Sequence, residues 1–139
     1  MARSGRAGVL ERALEVCFHG EVDALPEVFT DGVSAWSPNM LATSLGELAE
    51  VVAVRDVSLS NVSVQIDALD VVGNKGYAEF RFSAAFTGPF LVDEDTVIEP
   101  NGRELMLGAV VVAEFDGDKI SAIRLYFDDL SFVEQMLAA

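Results

Sequence analysis

The stretch Ile120-Ser-Ala-Ile-Arg-Leu-Tyr-Phe-Asp128, followed by Ser131-Phe-Val-Glu-Gln-Met-Leu137, decides the fold. In its first part Ile123, Leu125 and Phe127 alternate with Arg124, Tyr126 and Asp128, which is the period of a strand with one buried face. Asp128, Asp129 and Ser131 then offer side-chain acceptors where a C-terminal helix can begin. Immediately upstream, Asp116-Gly-Asp-Lys119 is a tight turn, and Glu104 to Phe115 is a second long apolar strand, so the two strands make a hairpin.

A similar unit lies further upstream. Gly73-Asn-Lys-Gly76 reads as a hairpin turn, and Tyr77 to Phe86 returns with Phe80, Phe82, Ala84 and Phe86 on one face. Before the turn, from Val57, the period is again two: Val62, Val64, Ile66 and Ala68 share one face, and Ser63, Gln65 and Asp67 the other. Between the hairpins, Thr87-Gly-Pro89 breaks the strand, Phe90 to Glu99 is an acidic, less regular link, and Pro100-Asn-Gly102 turns the chain.

Toward the N-terminus the period lengthens. Val9, Leu10, Ala13, Leu14, Cys17 and Phe18 build one helical stripe that Gly20 stops. Asp23 caps a short second helix through Phe29, with Pro26 tolerated in its first turn. Ser44-Leu-Gly-Glu47 is a capping-box pattern that opens a third helix ahead of Leu48, Val51 and Val52. Three helices followed by a run of antiparallel strands predict an α+β domain with the helices packed on one sheet face.

The length of 139 residues suits a single domain over 1–139, large enough to bury one core. Although 51% of residues are hydrophobic, no uninterrupted apolar run reaches the roughly 18 to 20 residues of a membrane span. Arg3 and Arg6 are followed by Glu11, Arg12 and Glu15 instead of an apolar signal core, so no export signal is expected. A net charge of −14 repels nucleic-acid phosphates and anionic membrane surfaces, which excludes both as expected partners. The lone Cys17 can form no intrachain disulfide and lacks the companions of a zinc site, which fits a reducing cytoplasm.

The ending just described, together with Gly20-Glu-Val-Asp23, Phe29-Thr-Asp31, Trp36-Ser-Pro38, Asn61-Val-Ser-Val64 and Thr87-Gly-Pro-Phe90, resembles the SnoaL-like polyketide cyclases and limonene epoxide hydrolases of the nuclear transport factor 2-like superfamily. The resemblance spans nearly the whole chain. It implies a cone-shaped α+β barrel, in which a strongly curved sheet closes with its helices around an apolar pocket. It also implies pairing of two copies through the sheet, hence a homodimer.

The same resemblance locates the chemistry, and the residues present there are apolar. A His-Asp-Pro motif of many relatives is matched by Trp36-Ser-Pro38, and a Gly-Thr-His-Thr-Gly motif by Ala84-Ala-Phe-Thr-Gly88, with Phe86 in the place of its His. On the next strand Val110 stands where relatives place Asp or His, and Leu125 stands where the hydrolases carry a carboxylate after the last-strand Arg. Trp36, Phe86, Val110 and Leu125 are therefore expected to line a ligand pocket or to be ordinary core. None of them can transfer a proton.

The remaining carboxylate candidates for acid/base work are Asp67, Glu79, Glu114 and Asp128. By strand parity Asp128 falls opposite the apolar face, as a helix-entry acceptor, and Glu79, Arg81 and Ser83 fall on a polar outer face. His19 sits where a cation would complement a helix C-terminus, and Asp93-Glu-Asp95 reads as a solvated loop. No metal cluster, nucleophile motif or phosphate-binding loop is present, so no metal or cofactor is implied. Two functions stay open: cyclase- or isomerase-type acid/base chemistry on a hydrophobic polyketide- or terpenoid-like molecule, and a non-catalytic hydrophobic-ligand-binding or dimerisation module.

Overall fold

The two hairpins are built as their turn residues require. In the computed structural model, which describes residues 3–138, strand β3 (Leu59–Val72) pairs with β4 (Lys75–Phe86) around Gly73 and Asn74. Strand β7 (Glu104–Asp116) pairs with β8 (Lys119–Phe127) around Gly117 and Asp118. Each two-residue turn opens on a glycine in the left-handed region, Gly73 at φ 61° and Gly117 at φ 63°, which suits the twist of the flanking strands. β4 also pairs with β7, so four long strands form one antiparallel block.

Helix α1 (Gly5–Phe18) precedes a short 3₁₀ turn (Val22–Ala24), and α2 spans Leu25–Val28. The prediction that only helices precede the sheet is corrected here: β1 (Phe29–Ser37) and β2 (Met40–Ala42) form a hairpin between α2 and α3 (Leu45–Ser58). β1 lies parallel to β8, giving the order β2-β1-β8-β7-β4-β3, so the sheet is antiparallel apart from that one pair. The acidic link forms a small hairpin of its own, β5 (Phe90–Leu91) with β6 (Val97–Ile98), and α4 (Asp129–Leu137) closes the chain.

Curvature comes from irregularities in the ladder. β3 shifts register between Ser60 and Ser63, where Asn61 adopts φ 51°, and again between Ile66 and Ala68. Extra residues in one strand bend it and increase the twist. The second shift also reverses parity, which corrects the reading of Ala68: it is exposed, and Leu69 turns toward the core in its place. On β4 the alternation is uninterrupted, with Ala78, Phe80, Phe82, Ala84 and Phe86 all buried.

The concave face of this sheet packs against α1, α3 and α4. Leu10, Leu14 and Val16 of α1, Leu48 and Val52 of α3, and Phe132 and Met136 of α4 join the strand residues in one core. Phe18 ends α1 against the sheet, its ring centroid 5.5 Å from that of Phe80 and 5.0 Å from that of Phe82. The Ser44 hydroxyl caps α3 by accepting from the Glu47 amide at 3.1 Å, while the Glu47 carboxylate accepts from the Thr43 amide, one residue earlier than a strict capping box. Among the described residues no helix is long and apolar enough to cross a membrane.

Candidate functional site

Where α3 spans the open end of the curved sheet, packing leaves a cavity of about 460 Å³. That lies within the roughly 300–1,000 Å³ typical of small-molecule sites. The sheet supplies its floor through Phe80 and Phe82 of β4, Leu107 and Ala109 of β7, and Leu125 and Phe127 of β8. Phe18 of α1, Phe90 of β5 and Phe132 of α4 form an aromatic side, in which Phe132 lies edge-on to both Phe90 and Phe127 at 5.9 and 6.0 Å. Leu41, Val54 and Leu91 line the same space while exposing half or more of their surface, which places the mouth at β2, α3 and β5.

Polar groups are few in this wall. Ser37 and Asn39 enter from the end of β1, and the Ser37 hydroxyl donates to Asn39 Oδ1 at 2.9 Å. Helix α3 presents Glu50, Val51, Val54 and Arg55, four residues that the helical spacing of three to five brings to one face. Among the described residues Glu50 and Arg55 are the only titratable side chains in the wall. Glu50 is exposed at the rim, whereas burial lowers the pKa of Arg55 below the ordinary guanidinium value. The Arg55 guanidinium stacks over the Phe18 ring at 5.1 Å from its centroid.

Beside Arg55 lies Cys17, whose thiol burial pushes up to about 11 while the arginine pulls it the other way. Burial prevails because a thiolate would lose its hydration. At neutral pH this cysteine is therefore a protonated, poorly reactive packing residue.

Of the four apolar residues singled out in the sequence, Leu125 lies in the cavity wall. Phe86 is fully buried core outside the wall. Trp36 and Val110 point to the convex face of the sheet, which corrects their expected place in a pocket. The reason is parity: Val33, Ala35 and Ser37 are the buried set of β1, and Leu105, Val111 and Ala113 that of β7. Trp36 instead packs on Tyr126 at 5.2 Å between centroids, with 39% of its surface exposed.

None of the four candidate carboxylates reaches the cavity. Asp67 and Glu79 come together with Val110, Arg81 and Tyr126 around a shallow depression on the convex face. There Arg81 clasps Asp67 through Nε at 3.0 Å and a second guanidinium nitrogen at 2.9 Å, and those bonds hold the Asp67 pKa below the usual carboxylate value. Glu114 accepts from Arg124 at 2.5 Å and is likewise lowered, chiefly by that hydrogen bond. Asp128 is the N-cap of α4, accepting from the Ser131 amide at 3.0 Å. All four therefore have surface or capping roles, and as catalytic groups they are displaced by position.

His19 is the exposed C-cap residue of α1. Asp93 closes the β5–β6 turn by accepting from the Asp95 amide at 2.8 Å. Sequence reasoning passed over Glu50 and Arg55. The available signal was an arginine three and four residues beyond Val52 and Val51, inside the apolar stripe of a helix where leucine or valine is the usual occupant.

Comparison with solved structures finds the same fold at low identity. A SnoaL-like protein of Jannaschia sp. CCS1 is 18% identical with a TM-score of 0.85, over 100% of this chain and 99% of that one. TsrD of Streptomyces laurentii is 20% identical with a TM-score of 0.78, over 94% and 93% of the two chains. An LEH-like epoxide hydrolase of M. tuberculosis is 14% identical with a TM-score of 0.71, over 95% and 89%. Comparison with curated proteins gives no match. Residues 7–136 match the family described as SnoaL-like polyketide cyclase, and the chain belongs to that family.

Proposed function

We propose that this protein holds a small hydrophobic molecule, polyketide- or terpenoid-like in character, in the cavity between α3 and the sheet. The observation that carries the reading is the composition of the wall, where aromatic and aliphatic side chains surround about 460 Å³ and polar groups are confined to the end of β1 and one face of α3. In such a site burial supplies most of the affinity, and a few polar groups set orientation. The test is fluorescence titration with the neutral apolar dye N-phenyl-1-naphthylamine. The native protein is expected to bind it saturably, and Leu125→Trp, which grows into the cavity, to weaken it at least tenfold. Absence of saturable binding by the native protein would overturn the reading.

A second reading, cyclase- or isomerase-type proton transfer, is favoured by one observation: among the described residues Glu50 is the single carboxylate in the wall. In that case Glu50 takes the proton, and Glu50→Gln should abolish turnover while leaving dye affinity within about threefold.

We also propose a second copy of the chain as the partner for the convex sheet face. Trp36, Tyr77, Val110 and Tyr126 are each about 40% exposed there. The charges around them nearly balance: Asp67, Asp70, Glu79 and Glu114 against Lys75, Arg81 and Arg124. In a chain of net charge −14, a face so close to neutral suits its own copy better than a cationic partner. A reducing compartment suits the unpaired Cys17.

A further inference from the structure

Four of the nine Lys and Arg residues are half-buried and the other five exposed: the four are Arg6, Arg12, Arg55 and Arg124. Arg6 donates to the carbonyls of Gly73 and Gly117 at 2.7 and 3.0 Å. Arg12 is within 4 Å of three carboxylates, those of Glu15, Glu21 and Glu27, and Arg124 holds Glu114. Arg55 alone of the four has neither a hydrogen bond nor an ion pair among the described residues. In a chain with 23 Asp and Glu residues this isolation is informative, because a half-buried cation gives up part of its hydration and gains from a partner.

Its neighbours do not supply the missing charge. The Cys17 thiol, the one titratable group that couples to it, stays protonated at neutral pH. Glu50 shares the cavity wall but lies at the exposed rim, beyond the 4.0 Å reach of an ion pair. The last turn of α3 favours a cation, yet that effect is worth only about 0.3–1 kcal/mol and works as well for a side chain turned to solvent. Phe18 covers one face of the guanidinium, which leaves its edge of N–H donors for another partner.

Resting on the reading of the cavity as a small-molecule site, we propose that Arg55 is the anchor for the head group of an apolar organic anion, a carboxylate in the first instance, whose hydrophobic body fills the space toward Phe82, Leu125 and Phe132. A planar carboxylate can take two parallel N–H donors from the guanidinium. Inside an apolar wall that bond is stronger than in water, and the anion restores to Arg55 what burial removed. The ligand therefore has one negative end and no second negative charge, since the other ionisable group of the described wall, Glu50, is itself a carboxylate. Glu50 at the rim then acts against wrong ligands, disfavouring dianions.

The test compares two dyes of the same ring system, the sulfonate 1-anilinonaphthalene-8-sulfonate and neutral N-phenyl-1-naphthylamine, titrated against the native protein, Arg55→Gln, Arg55→Lys and Glu50→Gln at pH 7. Arg55→Gln should weaken the anionic dye at least tenfold and the neutral dye by less than threefold. Arg55→Lys should restore part of the anionic affinity, and Glu50→Gln should leave it unchanged or strengthen it. Because the glutamine variant removes a half-buried charge that has no partner to leave behind, it should melt no lower than the native protein, which separates loss of binding from loss of fold. Equal loss of both dyes on Arg55→Gln, or no loss of the anionic one, overturns anion recognition while the cavity reading stands. Failure of the native protein to bind either dye overturns both. Weaker anionic binding in Glu50→Gln would instead make Glu50 the hidden partner of Arg55, and would equally overturn the proposal.

Discussion

The side-chain amide of Gln135 pairs with the backbone of Met106 as a neighbouring strand would: Gln135 Nε2 donates to the Met106 carbonyl at 2.9 Å, and the Met106 amide donates to Gln135 Oε1 at 2.8 Å. The pair sits where β8 has run out. The ladder between β7 and β8 begins at Ala109 opposite Phe127, so the first residues of β7 have an open edge on that side. Asn101 fixes the same C-terminal end of the helix by donating to the carbonyls of Gln135, Met136 and Ala138 at 2.9 to 3.1 Å. Because α4 carries Phe132 into the cavity wall, these two amides position part of the site without touching its contents.

Gln135→Ala removes both bonds, together with the one that Nε2 donates to the Ser131 hydroxyl at 3.2 Å, and reopens the strand edge. The loss is expected to cost about 2–3 kcal/mol of stability, three net hydrogen bonds of ordinary strength. Hydrogen exchange should show the effect as faster opening of amides in α4 with little change in β3 and β4. Uniform acceleration across the sheet would mean that α4 does not open separately.

The long strands and both hairpins were legible because their signals are local: period two, a glycine at each turn, and an apolar face that only one register can bury. The β1–β2 hairpin was not. Asp31-Gly32 and Ser37-Pro38 have poor strand propensity, and β1 gains its partner from β8, some 90 residues later, by a parallel pairing that no local pattern encodes. Trp36 was expected inside from the motif it matches in the resembling family, and without β1 no strand parity stood against that expectation. Likewise the setting of Arg55 was not legible locally, because it is made by Phe18 and Cys17 of a different helix.

Glu114 lies beside Arg124, and its lowered pKa makes the pair a source of acid sensitivity. A carboxylate with a folded pKa below its unfolded value adds stability above the ordinary carboxylate range and loses it as pH falls through the folded pKa. Glu114→Gln is therefore expected to lower the melting temperature slightly at pH 7 and to flatten its decline below about pH 4.5, the region where an ordinary glutamate titrates. Parallel melting curves against pH for the two proteins would show that solvent screens the pair completely.

If a second copy covers the convex face, Val110 is near the centre of the contact, between Glu79 on β4 and Tyr126 on β8. Sedimentation of the native protein should report a dimer at micromolar concentration. Val110→Glu places a carboxylate beside Glu79 and should weaken association at least tenfold, about 1.4 kcal/mol, without lowering the melting temperature of the monomer. A native protein that stays monomeric at high concentration would leave the face without this partner.

Cys17 sets the behaviour at the alkaline end. Its folded pKa of about 11 stands above the ordinary value of 9.0, so the thiol form is favoured in the folded chain. By linkage, that contribution is fully present below the unfolded pKa and is lost as pH rises toward the folded one. Between pH 9 and 11 the native protein should lose on the order of 2 kcal/mol more than Cys17→Ala, since a tenfold change in an acid dissociation constant corresponds to about 1.4 kcal/mol. At pH 8 the native thiol should react with Ellman's reagent roughly 100-fold more slowly than a cysteine of ordinary pKa. Arg55→Gln removes the positive charge that holds the thiol pKa down, so it should slow the reaction further and widen the alkaline loss. Rapid labelling of the native protein at pH 8, or an Arg55→Gln variant that labels faster, would show that Cys17 is reached by solvent through the cavity and that the two groups do not share a dry environment.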